Sequence, residues 1–391
     1  MNSSPAIPRG VWVLGFVSML MDLSSEMIHS LLPLYLTVGL GASALVVGII
    51  EGVAEATALV MKVFSGVLSD RWRNRKWLTA VGYGLAAISK PLFPLAASPA
   101  MVFTARFADR IAKGIRGAPR DALIADLTPP AIRGAAFGLR QALDTVGAIA
   151  GPLVAMGLMI LWHDDYRAVF WVAVIPAVLC VLLVVFGVEE PEKQTSGSDH
   201  LVRSMTIKSG LSGLTPKFWV VVAAASALTL ARFSEAFLIL RAADLGVQAA
   251  YAPLVLAGMS VVYAVTAYPA GRLADRMPPR TLLAAGIAVL VASDIVLALA
   301  PNVATLAVGI ALWGLHMGLT QGLLAAMVAH TAPAELRGTA FGVFNLAMGL
   351  AMLLASAIAG ALWFYVGPAA TFWTGAALAA ASLAITRLAR A

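Results

Sequence analysis

GVLSDRWRNRKWL, residues 66–78, returns as GRLADRMPPRTLL at residues 271–283. Gly66 and Gly271 stand 205 positions apart. Two further echoes keep nearly the same spacing. RGAAFG at 133–138 reappears as RGTAFG at 337–342, with Arg133 and Arg337 separated by 204, and SEMI at 25–28 reappears as SEAF at 234–237, with Glu26 and Glu235 separated by 209. Three matches at nearly one offset mark an internal duplication. The chain is two homologous halves, an organisation that membrane transporters build around a midplane site.

Between the echoes the chain is almost wholly apolar. Of 391 residues 60% are hydrophobic and only 12% charged, and the mean hydropathy is +0.88. Soluble domains sit near ~45–50% apolar and ~25% charged, and a folded chain of this size in water still needs a polar skin. A bilayer removes that requirement, and roughly 20 apolar residues cross it as a helix. The expected fold is therefore an all-α membrane protein of twelve transmembrane helices in two pseudo-symmetric six-helix bundles. The first six are predicted at 11–38, 43–69, 76–97, 99–126, 132–162 and 167–188, and the second six at 216–242, 249–274, 280–300, 303–331, 335–363 and 368–388. The polar, Ser- and Gly-rich stretch EEPEKQTSGSDHLVRSMTIKSGLSGLTPK reads as a linker. It divides the chain into an N-terminal bundle (1–188), a linker (189–215) and a C-terminal bundle (216–391). The first apolar run carries Asp22 and Glu26 and no small-residue cleavage site, so it reads as a membrane helix and not as a removed signal.

The net charge of +7 is a topology signal and does not point to nucleic acid. Basic residues collect in the even-numbered turns, among them Arg71, Arg75, Lys76, Arg133, Arg203, Lys217, Arg272, Arg276, Arg280 and Arg337. The odd-numbered turns are nearly uncharged apart from HDDYR at 163–167 and Asp244. By the positive-inside rule both termini face the cytoplasm, and a multi-pass protein of the cell's inner (plasma) membrane is expected. Cys180 is the only cysteine, which excludes a disulfide within the chain and a cysteine metal site. No phosphate loop, HExxH or GxSxG is present, so the reading is a non-enzyme without metal or cofactor, powered by an ion gradient.

The turn motif resembles that of the major facilitator superfamily, and the likeness covers essentially the whole chain. Gly66, Asp70, Arg71 and Arg75 match the Gly-x-x-x-Asp-Arg motif between helices two and three of that family, and Gly271, Asp275, Arg276 and Arg280 match it again between helices eight and nine. Arg73 and Pro278 stand where the family usually has Gly. Arg110-Ile111-Ala112-Lys113-Gly114 resembles the Arg-x-x-Gln-Gly of drug antiporters, with Lys for Gln. Gly138, Gly147 and Gly151-Pro152 resemble the antiporter motif of helix five, whose final Gly pair is replaced by Ala155-Met156. The resemblance implies alternating access, gating by the Asp and Arg of the two turns and by Gly147, Gly151 and Pro152, and a proton-transfer role for Arg110.

Charge inside the helices marks the candidate site, because ionisable groups in a span face a cavity or a partner. Residues 104–126 hold eight charges (Arg106, Asp109, Arg110, Lys113, Arg116, Arg120, Asp121 and Asp126), a density far above the rest of the chain. At ~100° per residue Asp22, Glu26 and His29 share one face of helix one. Burial penalises a charged carboxylate and a nearby cation favours it, a competition suited to proton exchange, so Asp22, Glu26 and Arg110 are the expected proton-coupling residues. Candidates for substrate contact are Arg106, Lys113, Glu51, Glu55, Asp144, Glu235 and His316. The cationic face of helix four suggests an anionic or zwitterionic solute.

The function expected is a secondary active transporter, a proton-coupled antiporter that exports a small organic solute or drug. Its partners would be that solute and the lipid bilayer, and it would act as a monomer. The alternative is a proton symporter importing an organic anion or metal chelate; a non-transporting sensor or lipid-handling protein is a third, different class.

Overall fold

A computed structural model describes residues 6–72, 74–190, 214–274, 276–332 and 336–388. Helix α1 (Arg9–His29) continues beyond a break as Leu32–Leu34 and a π-helical turn, Tyr35–Gly39. It is followed by α2 (Ala44–Trp72), α3 (Arg75–Ser89, with a short turn at Leu92–Leu95), α4 (Pro99–Leu127), α5 (Arg133–Leu161) and α6 (Tyr166–Gly187). Helix α7 comes in two pieces, Pro216–Ala231 and Ala236–Asp244, and α8 (Leu254–Ala274), α9 (Pro279–Leu299), α10 (Val303–Thr331), α11 (Arg337–Tyr365) and α12 (Pro368–Leu388) complete the chain. Among the described residues nine segments are long and apolar enough to cross a membrane. Helix α4 is not one of them, although it packs in the heart of the first half, because its charges defeat a hydropathy window.

Three expected continuous helices are interrupted. Helix α1 breaks at Ser30 and Leu31, where Pro33 has no N–H to offer the carbonyl of His29. Helix α3 breaks at Lys90, before Pro91. Helix α7 breaks over Arg232–Glu235 without a proline. There the Ser234 amide donates to Ser356 Oγ of α11 at 3.2 Å, and Ser234 Oγ accepts from the Ala236 amide at 3.2 Å. Side chains thus satisfy backbone that the helix leaves open, which is the condition for a broken helix at membrane depth.

The packing repeats every six helices. Helix α1 packs on α5 and α6, as α7 packs on α11 and α12. Helix α2 packs on α4, as α8 packs on α10, and α3 packs on α4 and α6, as α9 packs on α10 and α12. The seams between the halves, α2 with α11 and α5 with α8, obey the same relation. The α2–α11 seam is tight because it is glycine-lined: a Cβ on Gly48 would lie 2.3 Å from the Ser356 carbonyl oxygen, and one on Gly360 would lie 2.7 Å from that of Ala44. Backbone meets backbone there, as small residues allow in membranes.

The cores tell the two ends of the bundle apart. Far from the termini one cluster joins both halves, with Met27, Leu31, Leu36 and Val47 packed into the same core as Phe237, Leu240, Ala355 and Ala359. On the side of the termini the core around Val11, Leu14, Tyr83 and Ile124 belongs to the first half alone, and the core around Phe218, Val222, Val328 and Ala340 to the second alone. One core thus joins the halves at the far end, while at the terminus end each half keeps its own and the α2–α11 seam crosses between them, where a Cβ on Gly342 would lie 3.2 Å from Val63.

Candidate functional site

Helix α4 starts with Ser98, whose side chain accepts from the Met101 amide at 3.3 Å, and with Pro99, whose fixed φ suits the first turn. Its charges are held by what packs on it. Gly114 lets α2 approach, since a Cβ there would come within 2.8 Å of the Ala58 carbonyl oxygen, and Ser65 Oγ donates to the Gly114 carbonyl at 2.8 Å. That closeness brings the acids of α2 onto the arginines of α4. Arg106 Nη2 lies 2.8 Å from Glu51 Oε2 and 4.0 Å from Glu55 Oε1, and Arg110 Nη1 lies 3.3 Å from Glu55 Oε1. Arg110 Nε is 3.5 Å from Asp109 Oδ2, and Lys90 Nζ, at the break of α3, donates to Asp109 Oδ1 at 2.8 Å and to Ser25 Oγ at 2.9 Å. Arg116 is buried too, with its guanidinium 5.0 Å over the Tyr83 ring. A buried pair held from both sides is costly to break by removing one partner.

At the other end of this chain of contacts His29 stands between two acids. Its Nδ1 is 3.5 Å from Glu26 Oε2 and its Nε2 is 3.4 Å from Glu51 Oε2. Glu26 belongs to the cavity between the halves. That cavity, about 270 Å³, is lined from the first half by Asp22, Glu26, Lys113, Gln141 and Asp144, and from the second by Glu235, Met259, Ser260, Tyr263, Met317 and Gln321, among others. Asp144 is also 3.7 Å from Arg140. Helix α5 can lie close beside α1 only because of Gly147 and Gly151: a Cβ on Gly147 would be 2.4 Å from the Met19 carbonyl oxygen, and one on Gly151 would be 2.8 Å from Glu26 Cβ. The break in α7 sets Glu235 at the start of its second piece, facing the same space.

The expected site residues therefore divide. Asp22, Glu26, Lys113, Asp144 and Glu235 meet at one cavity. Arg106, Arg110 and Glu51 are buried behind it in ion pairs, with Glu55 partly exposed between the two arginines. His316 does not line the cavity: it is fully buried, with Nδ1 2.8 Å from the Gly286 carbonyl oxygen, and it joins α10 to α9. Of the gating residues, Gly66 faces Ala118 of α4, Pro152 is buried inside α5, and Arg276 sits in the turn after α8. Arg75 pairs with Asp126, and its backbone amide donates to Glu190 at 3.0 Å. Asp275 lies outside the described residues, as do the side chains of Asp70 and Arg71. Sequence reasoning passed over Gln141, Ser260, Met259 and Met317, which are unremarkable residues on apolar helices. Only the abrupt appearance of a polar group at mid-helix pointed to Gln141 and Ser260, and nothing pointed to the methionines.

Comparison with known proteins agrees with this architecture. The sequence profile described as Major Facilitator Superfamily matches residues 14–240 and 220–390. An uncharacterized MFS-type transporter of Methanocaldococcus jannaschii is 30% identical over 381 residues, covering 95% of this chain and 93% of the relative. The multidrug resistance protein MdtH of Photorhabdus laumondii is 29% identical over 168 residues, 43% of this chain and 41% of that one. Among solved structures, a bacterial homolog of the human lysosomal transporter Spinster superposes with a TM-score of 0.81 at 16% identity, covering 100% of this chain and 98% of the other. With the duplicated six-helix packing, the two loop motifs and the shared cavity already established, the conclusion is that this chain belongs to the major facilitator superfamily of transporters.

Proposed function

We propose that the protein is a proton-coupled antiporter that exports a small amine-bearing solute, cationic or zwitterionic, across the plasma membrane. The observation that carries this reading is the charge of the cavity wall. Four acids (Asp22, Glu26, Asp144 and Glu235) line it with one ammonium, Lys113; Glu26 and Asp144 also have His29 and Arg140 beside them, which leaves Asp22 and Glu235 to meet a cationic ligand. The arginines of α4 suggested an anionic cargo, but Arg106 and Arg110 are neutralised by Glu51, Glu55 and Asp109 and have little charge left to offer a ligand. A protonated amine and a proton compete for the same carboxylates, and such competition is the simplest basis for exchange. The partial likeness to a multidrug resistance protein favours export.

In this mechanism the bundles 1–188 and 216–391, joined by 189–215, rock about the α2–α11 and α5–α8 seams. The present state, joined at the far end, loads solute from the side of the termini, which is the cytoplasm if the basic turns obey the positive-inside rule. In the opposite state the terminus-side turns that carry the two Gly-x-x-x-Asp-Arg motifs close that mouth. The protein is taken to work as a monomer without a cofactor, the proton gradient supplying the energy, and as a transporter and not an enzyme.

The test is reconstitution in vesicles with an imposed pH gradient, adding ethidium, spermidine, lysine or benzoate in turn. Proton flux opposite to solute flux, elicited by the amines and not by benzoate, is the expected result. Flux in the same direction makes the protein a symporter, and no flux with any solute refutes proton coupling. Asp22→Asn is expected to abolish gradient-driven transport while leaving solute counterflow intact; normal driven transport in that variant removes Asp22 from the mechanism.

A further inference from the structure

We propose that His29 carries the coupled proton and relays it between cavity-facing Glu26 and the buried Glu51–Arg106 pair. The assignment builds on the proton coupling proposed above and names the group that performs it.

Two independent features point to it. The first is what faces the ring, whose buried Nε2 has no hydrogen-bond partner in this state. Both ring nitrogens face carboxylate oxygens, Nδ1 that of Glu26 at 3.5 Å and Nε2 that of Glu51 at 3.4 Å. A neutral imidazole has one N–H and one lone pair, so in that form one nitrogen turns its lone pair on an anion. Only the doubly protonated ring offers an N–H to both. The second is charge balance. The contacts from Glu26 to Lys90, each 4.0 Å or less, join four acids (Glu26, Glu51, Glu55 and Asp109) to three cations (Lys90, Arg106 and Arg110) and His29. Within these contacts an imidazolium makes the charges balance, whereas a neutral ring leaves one acid in excess; the cations outside them are Lys113, at the cavity with Glu26, and Arg116, buried on the same helix as Asp109.

The geometry is that of a relay. Exposure falls along it, from 22% for the Glu26 side chain to 11% for His29 and 1% for Glu51. Loss of the Nδ1 proton to Glu26 and on to the cavity leaves a neutral ring protonated on Nε2; Glu26 then takes a proton from the cavity and returns it to Nδ1, and the imidazolium so formed passes its Nε2 proton to Glu51. Protonated Glu51 no longer balances Arg106, which is left with Glu55 at 4.0 Å. On α5 the charged neighbours are Asp144, which lines the cavity with Asp22 and Glu26, and Arg140 beside it; nearer the ring Gly147 and Gly151 of α5 abut Asp22 and Glu26, and Ser24 donates to the Ala173 carbonyl of α6 at 2.6 Å. Across the cavity Glu235 of α7 faces Glu26. His29 is also the last residue before the break of α1, and the turn beyond it, Leu32–Leu34, packs on the second piece of α7. The proton therefore sits where the two halves join.

The test needs no solute. Protein labelled with 15N-histidine is placed in nanodiscs and titrated by NMR, the His29 signal being assigned by its loss in His29→Gln. Spin labels at Ala135→Cys on α5 and Arg272→Cys on α8 report the terminus-side opening. In the native sequence the imidazole signal is expected to titrate, and in Glu26→Gln its midpoint to move by about one pH unit or more. The population of the open distance is expected to change about threefold or more across that titration, and to become independent of pH in both His29→Gln and His29→Lys. Distances that follow pH equally well in His29→Gln refute the assignment to His29 alone. Distances in the native sequence that ignore pH refute the proton coupling on which it rests. A His29 signal that does not move between pH 5 and 9 also overturns the relay. The Lys variant keeps the cation and guards against reading a folding defect as a lost switch.

Discussion

Glu51→Gln separates charge from shape at a fully buried contact of the site. The Glu51 side chain is 1% exposed, and its Oε2 is approached by Arg106 at 2.8 Å and by His29 at 3.4 Å. The amide keeps the volume and removes the anion. Losing one partner of a buried pair costs about 3–5 kcal/mol. Here the low end applies, because Glu55 remains 4.0 Å from Arg106. A loss of about 3 kcal/mol over a chain of this size corresponds to a fall in Tm of about 4 °C. The assay is built into the molecule: Cys180 is its only cysteine and is buried, so a thiol-reactive fluorogenic dye reports unfolding directly. Arg106→Gln should cost at least as much, since it leaves Glu51 with His29 alone. The double variant Glu51→Gln/Arg106→Gln should recover about 2 kcal/mol relative to the sum of the singles, because neither residue then strands a charge. Single variants as stable as the native protein, or a double variant that is merely additive, would refute the view that this pair neutralises the face of α4.

Three other outcomes follow from the same geometry. Gly147→Val should force α1 and α5 apart and cost about 1–3 kcal/mol, seen as a lower Tm, whereas Gly138→Ala on the same helix should be nearly neutral, because its Cβ would meet nothing within 4 Å; equal Tm values for the two would contradict the close approach. Gly48→Ala, whose Cβ would strike the Ser356 carbonyl, should disfavour the state joined at the far end, raising the labelling rate of a cysteine placed at Leu240, buried in the core that joins the halves there; an unchanged rate would show that the seam does not set access. Lys113→Gln should weaken competition against amine solutes and alter apparent KM severalfold with little change in Tm, since Lys113 is exposed at the cavity; a Tm loss like that of Glu51→Gln would make it a structural cation instead.

How much of this was legible beforehand depends on which residue is asked about. With the short pieces beyond the breaks included, eleven of the twelve helices lie within three residues of their expected bounds, α8 alone starting five residues late, because a bilayer demands a run of apolar residues and punishes any interruption. The interruptions themselves were harder. Pro33 and Pro91 signalled two of them, but the gap over Arg232–Glu235 has no proline and is held open by a serine from α11, more than a hundred residues away. Duplication, the antiporter-like glycines and the cluster of charge on α4 were all written in the chain, since each is a local pattern or a spacing. The fate of those charges was not. A helical wheel places Arg106, Arg110 and Lys113 on one side of α4 but says nothing about what stands opposite. Packing alone decided that the two arginines meet the acids of α2 and are neutralised, that Lys113 reaches the cavity, and that His29 falls between Glu26 and Glu51. An ion pair depends on distances of a few ångströms between segments far apart in sequence, and those distances exist only once α1, α2 and α4 have packed together.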